Sequence, residues 1–578
     1  MSNYSVHLTI RALALALLLL SVTTAWAQTP SPTPLPQVGP MPQATPVDEP
    51  RQPTFPTAQT QNLPPLPDLT RVGVISSNVL PLSMNDAIKR ALQNNNDIEV
   101  SRDDVRVAEQ RLRALYGFYD PVFSVTPAID QRISPVTSIF AGGGTRGTVK
   151  NTTLSVSPTL SKFFEMGGGS YQLQFNNFRT TTDATNSTLN PFYSSNLTLL
   201  YTQPLLRNRS IDTNRHAIRV QKKVLSQTDS DFRQRTIEII AQAQAAYWNL
   251  VFALRNQQNQ LDSLNLSRQN LRNIEAQISA GAKAPLDRAQ VLTDIATREG
   301  ALFQAVQSVS VAENSLKQIM IKDPLSQDWS AQLTPTDTPA LDLSPIDLRG
   351  ALEEAHKNRP ELARLNFQKE INTLDLQYFR NQAKPQIDLT GALITNGLAG
   401  SPVLPPCTPT PTGACVNTTY IGGYGQDLSN MLKFKTREIN VGVAIQIPLR
   451  NRTAKANLAA AEIQREQLEA SYRSQDQAVE MDVRNAAQSV DTAQKRVVAA
   501  RLARESAEQQ LAGEQKLYDV GRSTTFLLLQ RQTELTTART NELQAETDYS
   551  KALADLQRAT AATLRVNNVV VQNPVQNP

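Results

Sequence analysis

Two hydrophobic periods alternate along this chain. Ile439, Val441, Val443, Ile445 and Ile447 recur at every second position, with Asn440, Gly442, Ala444 and Gln446 between them. That is the pattern of a strand with one apolar and one polar side. The period then lengthens, with Val483, Val490 and Val497 at sevens and Ala493, Ala500 and Ala507 between and beyond them. A returning helix carries Leu535, Ala538, Glu542, Ala545, Tyr549, Ala552 and Leu556 at threes and fours. The same succession occurs earlier. Leu197, Leu199 and Tyr201 alternate with Asn196, Thr198 and Thr202, and then Leu254, Leu261, Leu264, Leu271, Ile274 and Ile278 mark a coiled-coil seam. No Pro or Gly interrupts Arg215 to Ile278, which predicts a rod of roughly 95 Å at about 1.5 Å per residue.

The two successions are copies of one unit. Ala87, Ile88, Ala91 and Asn94 fall on Ala351, Leu352, Ala355 and Asn358, and the same offset carries Pro121 onto Pro385. Pro204 to Arg209 recurs as Pro448 to Arg452, and Ser279-Ala280-Gly281 as Asp519-Val520-Gly521. Repeats in constant order are the mark of tandem structural units. Each unit reads as helix, strand, loop, strand, very long helix, tight turn and long helix, the first over residues 79–335 and the second over 336–566. The opening helix of the first runs from Met84 to Leu115, with Ser83 as N-cap. Ile387, Leu389 and Leu393 mark the first strand of the second unit. A further candidate pair lies at Asn151 to Leu160 and Gly169 to Thr180.

The strand count decides the architecture. Four strands per chain, or six with the extra pair, cannot close a membrane barrel, whose smallest members have eight. Open edges in lipid leave backbone groups unsatisfied. The expected fold is therefore mixed helix and transmembrane strand, with a β-barrel shared between chains: 12 strands for three copies, or 18 if the extra hairpin crosses too. Every strand pair begins and ends at a helix, so all helices leave one side of the barrel as a coiled-coil tunnel. Gln131 to Lys150 and Leu398 to Arg437 read as the long loops of the other side.

Composition adds an address. Arg11, the apolar run Ala12 to Leu20 and Ala25-Trp26-Ala27 form a signal-peptide pattern over residues 1–27. Residues 28–78, rich in Pro, Gln and Thr, read as a disordered leader, and 567–578 as a flexible tail. Loss of the signal peptide lowers the formal charge of +5 by one, so the chain is nearly neutral and nucleic acid is not an expected partner. Cys407 and Cys415 share a Pro/Thr/Gly loop, for which a short-loop disulfide is the leading reading and two free thiols the other. The three His offer no catalytic constellation and no phosphate loop stands in a believable context. No enzyme, cofactor or metal is expected.

The duplicated unit, the Asp86-Ala87-Ile88 and Ala91-Leu92 opening, the strand end Gln203-Pro204-Leu205-Leu206-Arg207 and the tip Tyr518-Asp519-Val520-Gly521 together resemble the TolC-like outer membrane efflux proteins. The resemblance covers roughly residues 79 to 566. It implies a homotrimer in outer-membrane lipid with a periplasmic helical tunnel, a periplasmic adaptor (membrane fusion protein) at the helix tips, and an inner-membrane transporter that supplies energy. The function implied is the outer-membrane channel of a tripartite efflux or type I secretion system. A periplasmic coiled-coil scaffold without channel activity is the competing reading. By resemblance the two turns form the docking surface and the constricted mouth. Gly281, Asp287, Arg288, Gly521 and Arg522 are the docking candidates; Tyr518, Arg522, Ser523, Leu527 and Gln530 are the gate candidates. Gly281 and Gly521 serve equally as left-handed turn residues, and Asp287 as a charge favourable at a helix N-terminus. The family pattern carries acidic residues on the return helix and an Arg beside the turn. Here Leu527, Gln530 and Ser523 occupy those positions, so an apolar constriction at Leu527 competes with an acidic ring.

Overall fold

The computed structural model describes residues 71, 73–342, 344–407 and 415–571. The expected signal peptide, most of the leader and the end of the tail lie outside them. The elements in order are β1 (Ile75–Leu82), α1 (Met84–Asn94), α2 (Asn96–Tyr116), β2 (Val122–Pro135), β3 (Thr148–Phe163), β4 (Ser170–Thr182), β5 (Leu189–Pro204), α3 (Thr213–Ser279), α4 (Pro285–Met320), β6 (Ala331–Pro335), α5 (Leu348–Asn358), α6 (Pro360–Gln382), β7 (Gln386–Asn396), β8 (Ala399–Pro402), α7 (Tyr424–Leu432), β9 (Arg437–Gln446), α8 (Arg452–Asp519), α9 (Thr525–Ala559) and α10 (Thr563–Val566).

The opening helix is two helices. Ser83 caps α1 through Asp86 N, as the sequence suggests, but Asn95 leaves the helical region and its side chain accepts from Asp97 N and Ile98 N to start α2. In the second unit Arg359-Pro360 makes the equivalent break, with Pro at the first position of α6, where its missing N–H costs no hydrogen bond. The leader and tail boundaries also move. Residues 75–82 form β1, which pairs in parallel with β6, and the Arg71 guanidinium is buried against Glu313. Beyond α10, Val569 is buried in the same core, around fully enclosed Tyr247, Leu250 and Leu316. Tyr247 Oη donates to Asp337 Oδ2 at 2.8 Å and so ties α3 to the linker between units.

Six long strands form one antiparallel sheet in the order β2-β3-β4-β5-β7-β9, with β8 paired beside β5. The expected loop Gln131 to Lys150 shrinks to 136–147, because β2 and β3 run on in register to Pro135↔Thr148. The extra hairpin is integral to the wall. Its turn packs onto the strand–helix junction, where Gln203 Nε2 donates to Gly167 O at 2.8 Å. A Cβ on Gly168, at φ +69, would stand 2.7 Å from Asn208 O, so glycine is required at that approach. The second loop is partly structured: it holds β8, α7 and the disulfide between Cys407 and Cys415, with Cα atoms 4.9 Å apart.

Both free edges of the sheet continue as free edges of the helical layer. Among the described residues β2 pairs only with β3 and β9 only with β7. Next to the sheet, α2 packs on α3, α3 on α6 and α6 on α8; further away, α4 packs on α3, α3 on α9 and α9 on α8. One flank therefore carries β2, α2 and α4, and the other β9 and α8. Large apolar side chains stand exposed on both, among them Val100, Phe303 and Val311 on the first and Ile463, Met481 and Leu502 on the second.

Candidate functional site

The register sorts the strand side chains into two faces. Phe123, Leu160, Leu173, Leu199, Leu393 and Ile439 lie on one face of neighbouring strands. Side chains on that face are apolar along most of β2, β7 and β9 and over Leu154, Val156, Pro158 and Leu160 of β3. The opposite face carries Thr126, Ser157, Gln174, Asn196, Thr390 and Asn440. Asn176 Nδ2 donates to Asn196 Oδ1 at 2.9 Å across two strands and accepts from Gln174 Nε2 at 2.9 Å. A wall with one largely apolar face and one hydrogen-bonded polar face, with strands of 10 to 16 residues, has the two-sided character of membrane barrel strands. Among the described residues no helix is long and apolar enough to cross a membrane.

At the far end of the helices the two turns are built alike. After α3, Gly281 N donates to Ile278 O at 2.9 Å and Ala282 N to Gln277 O at 2.8 Å, with Gly281 at φ +73. After α8, Gly521 N donates to Tyr518 O at 3.0 Å and Arg522 N to Leu517 O at 2.8 Å, with Gly521 at φ +74. These are two Schellman ends, which need a left-handed residue at that place. A Cβ would meet nothing within 4 Å at either glycine, so the constraint is the backbone angle alone.

The turns are brought together, and sequence reasoning did not single out the contact that does so. Lys283 of the first turn lies over the Tyr518 ring of the second, 4.6 Å from its centroid. Behind them Ile274, Val291 and Leu529 form a small core joining both hairpins. Asp287 sits in the first turn of α4, and Arg288 pairs with Glu275 at 3.0 Å across its own hairpin. Arg522 is exposed, and among the described residues its side chain has no ion-pair partner. Ser523 donates to Glu514, and Leu527 and Gln530 are exposed on the return helix, where Gln530 donates to Glu534 at 3.0 Å. Arg531, one residue on, pairs with Glu534 at 2.6 Å and reaches Gln510 of α8 at 3.1 Å.

Above the second turn a charge lattice holds α8 to α9. Arg504 pairs with Glu542 at 2.6 Å and Glu508 at 2.9 Å, Arg539 with Glu508 at 3.1 Å, and Arg501 with Glu546 at 2.9 Å. Burial pushes the Glu542 carboxyl up, against the pull of Arg504. Burial also raises Glu508, but hydrogen bonds from Arg539 and Arg504 outweigh it and hold that carboxyl below the usual range. The i,i+4 spacing of Arg504 and Glu508 was the available signal for this lattice. Nearer the sheet, Arg359 and Arg558 converge on Asp482 at 2.6 and 3.1 Å. Burial raises this carboxyl too, and the two guanidinium groups bring it below its ordinary value.

Comparison with known proteins bears on what this geometry serves. Residues 351–562 match the family model described as outer membrane efflux protein. No curated protein matches the chain. Among solved structures, the Campylobacter jejuni CmeC outer membrane channel has a TM-score of 0.58 at 14% identity, covering 88% of this chain and 98% of that one. The open state of the Neisseria gonorrhoeae MtrE outer membrane channel has 0.55 at 15%, covering 90% and 98%. The outer-membrane channel OprN has 0.56 at 17%, covering 88% and 98%. At these identities the likeness establishes the fold: strands and long helical hairpins arranged as in outer-membrane channels.

Proposed function

We propose, for a chain whose residues 351–562 match the family model described as outer membrane efflux protein, that three copies join head to tail into one outer-membrane conduit. The observation that carries this reading is the coincidence of edges. An unpaired β2 edge and an unpaired β9 edge in lipid would leave backbone donors and acceptors unmet. Pairing β9 of one copy with β2 of the next satisfies both and brings α8 against the neighbour's α2 and α4. The apolar residues exposed on those flanks are then covered. Each copy supplies six strands, so the closed barrel has eighteen. The polar face of the sheet lines a water-filled lumen, and the long hairpins extend it into the periplasm as a tunnel.

Cargo passes without chemistry in this reading, and the work is done elsewhere: an inner-membrane transporter drives export and a periplasmic adaptor docks at the two turns. Gly281 and Gly521 shape these turns. Asp287, Arg288 and Arg522 present charge to the adaptor, and Tyr518, Ser523, Leu527 and Gln530 line the mouth. Efflux and type I secretion both fit such a conduit.

The test is purification of the mature protein in detergent, followed by gel mobility with and without heating and by insertion into planar bilayers. A heat-modifiable trimer forming small, mostly closed channels is expected. A monomer or dimer soluble without detergent would overturn the reading in favour of an envelope scaffold.

A further inference from the structure

The apolar face of the sheet gives way to polar side chains towards one end, Gln131, Lys150, Thr152 and Arg179 among them, and one such group is covered. Towards the end remote from the long helices, Asn177 of β4, Ser195 of β5 and Thr395 of β7 stand on the same face as Phe175, Leu197 and Leu393. Bare polar side chains there would face lipid. α7 covers them. Asp427, fully buried, accepts from Ser195 N at 3.3 Å and from Ser195 Oγ. Tyr424 Oη donates to Asn177 Oδ1 at 2.7 Å, and Thr395 Oγ1 donates to Met431 O at 2.7 Å. The fit is close: a Cβ on Gly397 would lie 2.4 Å from Asp427 O. The short helix is thus fastened to the outside of the barrel wall, away from both free edges of the sheet.

Its uncovered side has a definite character. Tyr424, Leu432 and Phe434 are exposed at 41, 62 and 40%. Phe434 keeps that position at φ +52, a conformation that a bulky residue rarely adopts. Lys433 and Lys435 alternate with these apolar residues, are exposed, and among the described residues have no ion-pair partner. Arg437 follows on the same face of β9 as Ile439, where its guanidinium donates to Phe434 O at 3.3 Å. Aromatic and aliphatic groups interleaved with cations, continuous with an apolar wall, suit the boundary between acyl chains and headgroups.

We propose that α7 is an interfacial helix seated on the lipid side of the barrel in the outer leaflet, where Lys433, Lys435 and Arg437 bind phosphate-bearing lipid headgroups. This rests on the membrane reading of the sheet, and the experiment separates the two. Leu432→Trp and, on the bare wall, Leu199→Trp are each reconstituted as the assembled full chain into bilayers containing acyl-brominated lipid. The quenching of each is compared with that of the unsubstituted protein. Quenching of both by brominated lipid, with neither responding to aqueous iodide, is expected. Brominated anionic lipid should be enriched around Leu432→Trp about fivefold over its zwitterionic counterpart, about the effect of one cation near an anionic surface. Lys433→Glu/Lys435→Glu should abolish that enrichment. Phe434→Trp serves as a second reporter if Leu432→Trp does not assemble. Iodide quenching at Leu432 with lipid quenching at Leu199 would place α7 in water and overturn the proposal alone. Iodide quenching at both would overturn the membrane reading itself. Lipid quenching at both, unaffected by lipid charge or by the charge reversal, would overturn the headgroup site.

Discussion

The two copies of the repeated unit agree in their helices and differ in their strands. The long hairpins have 67 and 36 residues in the first copy and 68 and 35 in the second. The first copy contributes four strands to the sheet and the second two, plus short β8. Helices that pack side by side along their whole length must reach the same level at both ends, so a residue added to one is a step at the tip. A hairpin added to an antiparallel sheet leaves the flanking strands running as before and returns the chain to the same side. Strand number can therefore change in pairs while tunnel length cannot. Burial differs as well: the first copy holds the larger core, around Tyr247, while the second has two smaller clusters around Val483 and Val497.

The sharpest way to break this comparison is to make the copies alike. Excising β3, β4 and the turn between them leaves β2 to pair with β5, as β7 pairs with β9. The trimer should still form, with its barrel narrowing from about 36 Å to about 24 Å at strand spacings of about 4.8 Å and a tilt of about 40°. Open-state conductance should fall by about half with the cross-section. Electron microscopy and bilayer recording read both, and an unchanged width would put the hairpin outside the wall.

The next test sets one buried charge cluster against another. Glu313 lies between Arg71 and Lys317 with all three side chains at most 3% exposed, and it also accepts from Leu333 N at 2.8 Å. Glu313→Ala leaves two buried cations without their carboxylate, Lys317 keeping only Trp329 O at 2.7 Å, and should cost about 3–5 kcal/mol. The parent and variant should separate clearly in thermal unfolding of the detergent-solubilised protein. Asp482→Asn in the second copy should cost less, about 1–3 kcal/mol, because the Asp482 and Arg558 side chains remain about 30% exposed.

Asp482 also gives the second copy an acid response. Its folded-state pKa is depressed, so its contribution is fully present above the unfolded value and is lost as pH falls through the folded value. Melts followed from neutral pH down past the carboxylate range should show a loss of stability that Asp482→Asn reduces. An identical pH profile in the variant would show that the carboxylate is not the group responsible.

The smallest effect concerns the tips. Gly281→Ala and Gly521→Ala each force a Cβ onto a left-handed backbone and should cost about 1 kcal/mol, equally, since neither has a steric neighbour. Hydrogen exchange in the last turns of α3 and α8 measures this. A much larger effect at one glycine would show that the turns have diverged in function.

Much of this was readable beforehand, for local reasons. The seam residues Leu254, Leu264 and Ile274 are buried, as are Val483, Val490 and Val497, because heptad spacing fixes a helix face without reference to anything distant. The alternation of β9 was clear because every second residue from Ile439 to Ile445 is apolar and those between are small or polar. β2 was obscured by Pro127, which interrupts the run of strand formers, and by Asp130 and Arg132, which lie on its polar face. The break at Asn95 had its signal in Asn94-Asn95-Asn96, a run suited to capping rather than to a helix interior. Arg71 with Glu313, Lys283 with Tyr518 and Ser195 with Asp427 join residues far apart in sequence, and no periodicity marks such partners. α7 was missed because its pattern, nine residues inside a Gly/Pro/Thr loop, is too short for a period to declare itself.

The proposed ring through the coincident edges carries a genetic consequence. A surface that binds its own copy only head to tail has two different sides, and a subunit damaged on one side keeps a sound other side. A chain with Pro introduced along the β9 edge would still offer β2 to a normal neighbour, enter the ring and prevent its closure. Expressed in equal amount with the intact chain, it would leave only about one ring in eight wholly intact when three subunits are drawn at random. In the proposed ring, loss of one edge should thus be dominant, whereas loss of both edges together, or of the whole chain, should be recessive.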